Sequence, residues 1–290
     1  MQDTNLSMDS VNDVSTILNE RLAAIDFQDA SLHLLLGYHQ SDIGKAHLIA
    51  RLARLLAANS TVSILKFDGF LNTNQHGQHP SRTRNDFVVY RQFLEHIAFG
   101  GAHLILSGPL LAEFLNEFGE SQEHLMFCPH VAKYFARRIF DNWRRLAEPK
   151  HLFFEIGGNV LDDEVQIYVL PAIRILRARV KRFHVMLLAE AGFNREVVKV
   201  RPIINALASA RRSGFAIDTL FVRLPATVPA GSDDRVLGLH IKDRIEQSLV
   251  SSNVPEVVCI PYYEDEALSG YTDYLAGYID TIFAGHKQHA

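Results

Sequence analysis

Short apolar runs alternate with longer amphipathic segments along most of this chain. Seven runs rich in Leu, Val, Ile and Phe have the length of buried strands: Leu32–Leu36, Val62–Lys66, Leu104–Leu106, Leu152–Glu155, Phe183–Leu188, Thr219–Val222 and Val257–Ile260. Segments with apolar residues at helical spacing lie between or after them, at about 44–58, 85–99, 130–146, 164–178, 202–213, 233–250 and 271–284. This strand–helix alternation predicts an α/β fold with a doubly wound, mostly parallel sheet covered by helices on both faces.

The chain ahead of the first strand departs from this pattern. Residues 1–12 are polar and acidic and are expected to form a loose tail without the features of a signal peptide. Residues 13–25 carry apolar positions at helical spacing and predict an added helix. We therefore expect residues 1–30 to be a tail with an added helix, and residues 31–290 to form one α/β domain.

Composition narrows the class of protein. Of the 290 residues, 48% are hydrophobic and 21% are charged, as is usual for a globular domain with a sizeable core. The formal net charge of −4 argues against a broad nucleic-acid-binding surface. No apolar stretch reaches the roughly 18–20 residues of a membrane span, and Cys128 and Cys259 form neither a disulfide framework nor a zinc-ligand pattern. We expect a cytoplasmic protein that binds neither nucleic acid nor membrane.

The first predicted strand leads into a segment suited to holding phosphate groups. This segment reads Gly37-Tyr38-His39-Gln40-Ser41-Asp42-Ile43-Gly44-Lys45, and a helix is expected directly after it. A glycine turn between strand and helix presents backbone N–H groups to an anion, and a lysine there can bridge the outer phosphates of ATP. The generic P-loop pattern is not met, since His39 replaces its first glycine and Ala46 its Ser or Thr. An ordinary strand-to-helix turn explains the segment equally well.

An acidic residue ends the fourth predicted strand, within the run Phe153-Phe154-Glu155-Ile156-Gly157-Gly158-Asn159-Val160-Leu161-Asp162-Asp163-Glu164. A buried parallel strand that ends on an acid and a glycine turn places Glu155 at the carboxyl edge of the sheet, where open α/β proteins bind ligands. The alternative is a strand, a turn and a solvated acidic helix start.

These segments resemble the synthetase (amidoligase) domain of the CTP synthase family. The run from Glu155 to Glu164 is similar to its E-I-G-G-T-V-G-D-I-E, and the segment from Gly37 to Lys45 to its G-G-x-x-S-x-x-G-K-G. Residues 66–72 (KFDGFLN) resemble its K-x-D-P-Y-L-N, residues 86–93 (DFVVYRQF) its D-L-G-H-Y-E-R-F, and residues 196–205 (EVVKVRPIIN) its G-E-V-K-T-K-P-T-Q-H. The resemblance covers about residues 31–265 and implies a sheet of the P-loop NTPase or dethiobiotin-synthetase-like type.

The resemblance also implies a role for each matching residue. The ATP-binding residues would be Gly37, Ser41, Asp42, Ile43, Gly44 and Lys45. The Mg²⁺ ligands would be Asp86 and Glu155, and Lys45 and Lys66 would act in catalysis on the phosphoryl group. The residues around the acceptor would be Asp68, Asp162, Glu164, Lys199, Arg201 and Arg235. Outside the resemblance, Lys66 and Asp68 would be read as a surface ion pair at a strand end.

Several positions depart from the family pattern. Tyr38 and Ala46 replace two glycines of the phosphate loop, and Arg84 replaces the first acid of the family's D-x-D. The polar loop Asn72–Arg84 is much shorter than in the family, and Ile204 stands where a glutamine helps to recognise UTP. The last two departures favour an acceptor other than UTP.

The resemblance implies an ATP- and Mg²⁺-dependent ligase or kinase that phosphorylates UTP, a related nucleotide or another anionic acceptor for amination by ammonia. The chain shows no counterpart of the family's glutaminase domain, so ammonia would come from solution or from a separate glutaminase subunit. A homo-oligomer, tetramer or dimer, is also implied. Two alternatives remain, a catalytically inactive nucleotide-binding regulatory paralogue that binds ATP or UTP/CTP, and a dethiobiotin-synthetase-like carboxylate ligase.

Overall fold

A parallel sheet forms the centre of the molecule, as seen in a computed structural model. The structure describes residues 8–27, 29–38, 44–68, 102–118, 129–157, 159–160, 162–163, 165–190, 192–194, 197–223, 240, 243–245, 247 and 256–260. The strands of this part of the chain are β1 (Ser31–Gly37), β2 (Val62–Asp68), β3 (Ala102–Leu106), β4 (His151–Ile156), β5 (Arg182–Glu190), β6 (Gly192–Asn194), β7 (Val197–Lys199), β8 (Thr219–Arg223) and β9 (Glu256–Ile260). The helices are α1 (Met8–Ala23), α2 (Lys45–Ala57), α3 (Ser107–Phe118), α4 (Pro129–Arg145), α5 (Leu170–Arg177) and α6 (Arg201–Arg212).

The main sheet has the order β3-β2-β4-β1-β5-β8-β9, and each neighbouring pair is parallel. The chain moves from β1 outward to β2 and β3, returns to β4 beside β1, and then builds the other side from β5. The carboxyl ends of β1 and β4 are therefore neighbours at the point where the winding reverses. The predicted doubly wound α/β fold is confirmed, and β1, its glycine turn and the lysine-led helix α2 follow one another as in a P-loop fold.

Alternate residues of β1 face two separate hydrophobic cores. Leu32, Leu34 and Leu36 belong to the larger core, which includes buried residues of α1, α3, α4, α5 and α6. Leu35 belongs to the smaller core, to which α2 contributes Leu48, Ile49 and Leu52 among others. Every residue of β1 is buried, as expected for a parallel strand covered on both faces.

The added N-terminal helix is longer than the sequence predicts. Helix α1 begins at Met8, so the expectation of a loose tail is wrong for residues 8–12. Its buried residues Val14, Leu18 and Leu22 join the larger core. Arg21 adds two polar contacts. Its carbonyl accepts a hydrogen bond from Arg137 Nη1 of α4 at 3.0 Å, and its guanidinium lies 2.5 Å from the Glu117 carboxylate of α3. Helix α1 is thus an intramolecular cap on α4.

Three elements were not anticipated from the sequence. Helix α3 begins at Ser107-Gly108-Pro109, a tripeptide typical of a turn, although proline is tolerated in the first turn of a helix. The hairpin of β6 and β7 has strands of only three residues. The helix predicted over 164–178 is a π-helical turn, Val165–Val169, followed by α5 with Pro171 in its first turn.

Three of the predicted helices lie wholly or partly outside the described residues. The helices predicted at 85–99 and 271–284 lie outside the described residues, and that at 233–250 is described only in part, with helical residues at 240, 243–245 and 247. Among the helices that the structure describes, none has the length and hydropathy to cross a bilayer.

Candidate functional site

Residues from three separate segments of the sequence meet at the carboxyl ends of β2, β4 and β1. Lys66 of β2 lies directly opposite Glu155 of β4, and Glu155 in turn lies opposite Leu35 of β1, two residues before Gly37. Because the three strands are parallel and adjacent, their carboxyl ends form one edge. We call this edge, with Gly37, Lys45, Lys66 and Glu155, the carboxyl-edge site.

Lys45 lies across the end of β1. It is the first residue of α2 and is only 3% exposed. A Cβ atom placed on Gly37 would lie 2.8 Å from Lys45 Nζ and 2.9 Å from its Cδ, so the lysine side chain occupies the space that any other residue would need. Glycine at position 37 therefore has a steric cause, and it brings a cation onto the backbone at the end of the strand.

Gly44 sets the start of α2. Its backbone is left-handed, with φ of 90°, a conformation that glycine adopts at little cost. Its carbonyl accepts a hydrogen bond from Leu48 N at 3.1 Å, which is the first hydrogen bond of the helix. The N-terminus of α2 carries partial positive charge and lies beside the Lys45 ammonium, so this corner of the site is suited to an anion.

Lys66 and Glu155 form a buried ion pair. Lys66 Nζ lies 3.4 Å from Glu155 Oε1, and the two residues are 6% and 1% exposed. Removing two charges from water is costly, and their mutual attraction offsets that cost only in part. A buried ion pair at the carboxyl edge of a parallel sheet is therefore a candidate for a function in binding or chemistry.

The turn after β4 closes over the end of β1. Gly157 N donates to Phe67 O at 2.6 Å, and Val160 N donates to Gly37 O at 2.8 Å. Asp162 is exposed, and its Oδ2 accepts a hydrogen bond from Asn159 N at 2.7 Å while its own N donates back to Asn159 O at 2.9 Å. The Asp162 carboxylate therefore stabilises the turn locally, a role beyond the acceptor contact that the sequence predicts for it.

The two basic residues predicted for the acceptor follow β5, the strand on the other side of β1. The backbone of Lys199 pairs with Gly192 in the β6–β7 hairpin, which begins two residues after β5 ends. Arg201 is exposed and is the first residue of α6. Both residues therefore follow the carboxyl end of β5, a strand that adjoins the site.

Other predicted site residues lie outside the described residues, namely Ser41, Asp42, Ile43, Asp86, Glu164 and Arg235. Only the backbone of Asp68 and Lys199 is described. The pairing of Asp86 with Glu155 around Mg²⁺ therefore stays a prediction. Within the described residues no three His, Cys, Asp or Glu side chains are grouped to hold a metal ion, and Glu155 fits Mg²⁺ as one oxygen ligand beside substrate phosphates and water.

Gln166 is the residue that sequence reasoning missed. It lies in the π-helical turn, where its Nε2 donates to Val160 O and its Oε1 accepts from Ser213 Oγ, the latter at 2.6 Å. A glutamine within a predicted helix gives no sign of such contacts, because they depend on where the chain turns before and after it.

Comparison with known proteins gives the following matches. A family model described as the CTP synthase N-terminus matches residues 33–268. Two proteins named CTP synthase, from Synechococcus sp. strains JA-2-3B'a(2-13) and JA-3-3Ab, are each 29% identical to this chain, over 220 and 224 residues. Each match covers 68% of this chain and 39% of the relative, so the chain corresponds to well under half of their length. Among solved structures, the hydrogenase maturation factor HypB from Archaeoglobus fulgidus is 10% identical with a TM-score of 0.41, covering 92% of this chain and 99% of that chain.

Proposed function

Because the chain belongs to the CTP synthase N-terminal family, we propose that it is an ATP- and Mg²⁺-dependent amidoligase or kinase that phosphorylates an anionic acceptor. In the amidoligase reaction, an acceptor carbonyl oxygen attacks the γ-phosphorus of ATP and ADP leaves. Ammonia then displaces the phosphate from the activated carbon. The observation that carries this proposal is Lys45 lying over Gly37 beside the buried Lys66–Glu155 pair.

Phosphoryl transfer requires positioning and neutralisation of charge more than covalent chemistry by the protein. Lys45, Gly44 and the N-terminus of α2 supply cationic and N–H groups for the phosphates of ATP. Lys66, which the sheet register holds opposite Glu155, would neutralise the phosphoryl group during transfer. Glu155 would hold Mg²⁺, together with Asp86, and the ion would supply further charge neutralisation between phosphate oxygens.

The buried ion pair fits this role for a further reason. Lys66 and Glu155 neutralise each other at 3.4 Å, so this pair keeps both charges in place without net charge. A metal–nucleotide complex brings charges of both signs to the same edge, a cation for Glu155 and phosphate oxygens for Lys66. Binding then substitutes one set of opposite charges for another, and neither side chain is left uncompensated in a buried place.

The acceptor would bind beside the β6–β7 hairpin. Lys199, Arg201 and Arg235 supply positive charge for an anionic group, and Asp68, Asp162 and Glu164 supply acceptors for hydroxyl or amino groups. Ile204 lies one turn into α6, where it cannot form the hydrogen bonds of a glutamine side chain. This residue favours an acceptor other than UTP. We further propose a homo-oligomer that uses ammonia as the nitrogen donor.

The experiment is to measure ADP release with ATP and Mg²⁺ while screening UTP and other anionic acceptors, each with and without ammonium chloride. Turnover that depends on the acceptor and falls at least a hundredfold in Lys45→Met supports the proposal, and the ammonium dependence separates ligase from kinase. Lys181→Met, which changes an exposed lysine that contacts Asp29, is the matched control and should retain full activity.

The second candidate is a nucleotide-binding regulatory paralogue without catalysis. It is favoured by Tyr38 and Ala46, both buried, in place of two glycines of the phosphate loop. Tyr38 N donates to Leu188 O at 3.0 Å and so continues the sheet pairing of β1 with β5 beyond Gly37. ATP binding without turnover on any acceptor would establish this alternative.

A further inference from the structure

The π-helical turn Val165–Val169 separates the turn after β4 from helix α5. Such turns are rare, are less favourable than α-helix and occur frequently at functional sites. Val165, Tyr168 and Val169 are buried in the larger core, while Ile167 is 40% exposed. Three side chains of the turn are thus buried in the core. The half-buried Gln166 contacts residues that precede and follow the turn in the sequence.

Gln166 connects two parts of the chain through both ends of its amide. Its Nε2 must be the donor to Val160 O, because a carbonyl oxygen only accepts. Its Oε1 is then the acceptor for Ser213 Oγ at 2.6 Å. Ser213 Oγ also lies 3.1 Å from Ser209 O, and its single proton serves one acceptor at a time, so the shorter contact to Gln166 is the better one.

These contacts lead directly to the carboxyl-edge site. Val160, held by Gln166, donates its N–H to Gly37 O at 2.8 Å. The backbone N–H of Gln166 donates to Asp162 O at 3.0 Å, so the same residue also holds the carbonyl of the predicted acceptor-binding acid. Ser213 directly follows α6, the helix that Arg201 begins.

We propose that Gln166 is a positioning residue for the acceptor side of the site. It holds the acidic turn, meaning residues 157, 159, 160, 162 and 163, against the end of β1 and against α6. The position of Asp162 within the acidic turn then depends on both hydrogen bonds of the Gln166 amide. The functional part of this inference rests on the proposed ligase or kinase activity.

The ATP side should depend less on Gln166. Gly37 is held also by the pairing of β1 with β5, and Tyr38 N bonds to Leu188 O. Lys45 is positioned by α2, which packs in the smaller core. Loss of the Gln166 contacts should therefore alter the acceptor KM more than the ATP KM. A general loss of stability would not separate the two constants in this way.

The test compares four variants of the full chain. Gln166→Leu removes both side-chain hydrogen bonds, whereas Gln166→Glu keeps an acceptor for Ser213 and places a carboxylate oxygen against Val160 O. Ser213→Ala removes only the bond from the hydroxyl. Asn116→Asp makes the same amide-to-carboxylate change as Gln166→Glu at an exposed position on α3 and is the control.

Hydrogen exchange without ligand is measured on peptides covering residues 157–163. We expect exchange about tenfold faster in Gln166→Leu and Gln166→Glu, less in Ser213→Ala, and unchanged in Asn116→Asp. The result does not depend on turnover. Equal exchange in the unaltered chain and in Gln166→Leu would overturn the inference even if the protein is an active ligase.

ADP release is then measured with MgATP and with UTP or the best acceptor of the screen. We expect the acceptor KM to rise about tenfold in Gln166→Leu with the ATP KM within about twofold. Equal increases of both constants, or no change in either, would overturn the positioning role. If the unaltered chain has no turnover at all, the proposed function fails, and the link between Gln166 and the acidic turn is decided by exchange alone.

Discussion

The carboxyl and amino ends of strands β1 and β4 differ in the polar residues that they carry. At their carboxyl ends, β1 and β4 carry Gly37 and Glu155, in contact with Lys45 and Lys66. At the amino ends, the same face of these two strands and of the adjacent β5 carries histidines. We call the latter group, His33, His151 and His184, the amino-edge cluster.

The amino-edge cluster is held by aromatic and hydrogen-bond contacts. His33 Nε2 lies 3.0 Å from His151 Nδ1, and their rings stack with centroids 5.3 Å apart. His184 of β5 packs edge-on against His33 at 6.0 Å, and its Nε2 lies 3.1 Å from Thr219 Oγ1. In a hydrogen bond between two imidazoles one ring donates and the other accepts, which requires at least one neutral ring.

The two edges therefore differ in how they treat charge. The carboxyl edge keeps a buried cation and a buried anion together, and a second buried lysine, Lys45, lies over Gly37. The amino edge disfavours charge, because burial, with the nearby Arg182 and Lys150, lowers the pKa of His151 below its ordinary value. We therefore expect the polar residues of this sheet to serve binding at the carboxyl edge and packing at the amino edge. Experiments can separate these roles.

The largest expected effect is at Glu155. Glu155→Gln should lower acceptor-dependent ADP release at least a hundredfold, because the amide is a weaker Mg²⁺ ligand and cannot neutralise Lys66. Glu155→Leu should lower the free energy of unfolding by about 3–5 kcal/mol, since it leaves a buried ammonium facing an apolar side chain. Urea denaturation and the ADP assay measure the two effects separately.

The double variant Glu155→Leu with Lys66→Met is the control for this pair. It should regain most of the lost stability, because both buried charges are gone, and none of the activity. Activity retained in Glu155→Gln, or stability equal in the single and double variants, would place Glu155 with the structural residues of the amino edge.

The next effect is at Gly37. A methyl group in Gly37→Ala would meet Lys45 Nζ at 2.8 Å and displace the flexible end of that side chain. We expect ATP to bind about tenfold more weakly by isothermal titration calorimetry, with a smaller loss of stability. Displacement of a cation from a phosphate site has this magnitude when a charge-assisted contact of about 1.5–3 kcal/mol is weakened but not abolished.

Gly214→Ala serves as the matched control. Gly214 has φ of 82°, and its added Cβ would lie 3.4 Å from Arg174 Cδ. This substitution should cost stability, on the order of 1–2 kcal/mol for a left-handed residue, and leave the ATP Kd unchanged. Weaker ATP binding in both variants would indicate a general effect of destabilisation.

A smaller effect is the pH dependence of the amino edge. Since the pKa of His151 is lower in the folded chain than in the unfolded chain, the unfolded chain binds more protons as the pH falls. Stability should therefore be complete above pH of about 6.5 and decline below it. Urea midpoints measured from pH 7.5 to 5.5 should fall less steeply in His151→Gln.

His151→Gln also tests whether the amino edge affects ATP binding. At pH 7.5, His151→Gln should bind ATP with an unchanged Kd, because the substitution lies at the opposite end of β4. An altered Kd at that pH would mean that the two edges are coupled through the strand. An identical pH slope in both proteins would contradict the assignment to His151.

The smallest effect is expected at the Asp29–Lys181 pair, which is also near the amino edge. Asp29 Oδ1 lies 2.6 Å from Lys181 Nζ. The hydrogen bond and the charge of Lys181 lower the pKa of the Asp29 carboxyl, and those of Asp29 raise the pKa of the Lys181 ammonium. Both side chains are nevertheless exposed, so water and salt screen their attraction. Asp29→Asn should leave both the thermal midpoint and the ADP assay unchanged within error. A measurable loss would show that exposed charges stabilise this edge.

The sequence predicted the strands well because parallel strands buried on both faces are short, continuous apolar runs. All seven predicted strands are present, with boundaries within two residues of the observed ones. Lys45 was also predicted correctly as the first residue after the glycine turn. A local pattern was sufficient for each of these features.

Features that depend on distant contacts were not predictable. Lys66 and Glu155 are 89 residues apart, and their ion pair follows from the register of β2 with β4. Gln166 and Ser213 are 47 residues apart. Helix α1 extends to Met8 in a polar segment whose helical state is supported by packing onto α4. In each case the partner lies outside the window that periodicity examines.

The position of β1 has a consequence for biosynthesis. Both of its partners come late, because Ser31 pairs with His151 in β4 and with Arg182 in β5. At about 5–20 residues per second, translation from β1 to the end of β5 takes roughly 10–30 s. Until β4 emerges this Leu-rich strand has no neighbour, and until β5 emerges it has only one, a state in which nascent chains aggregate or require chaperones. The first strand of the sheet to be made therefore stays without its second neighbour until β5 has emerged.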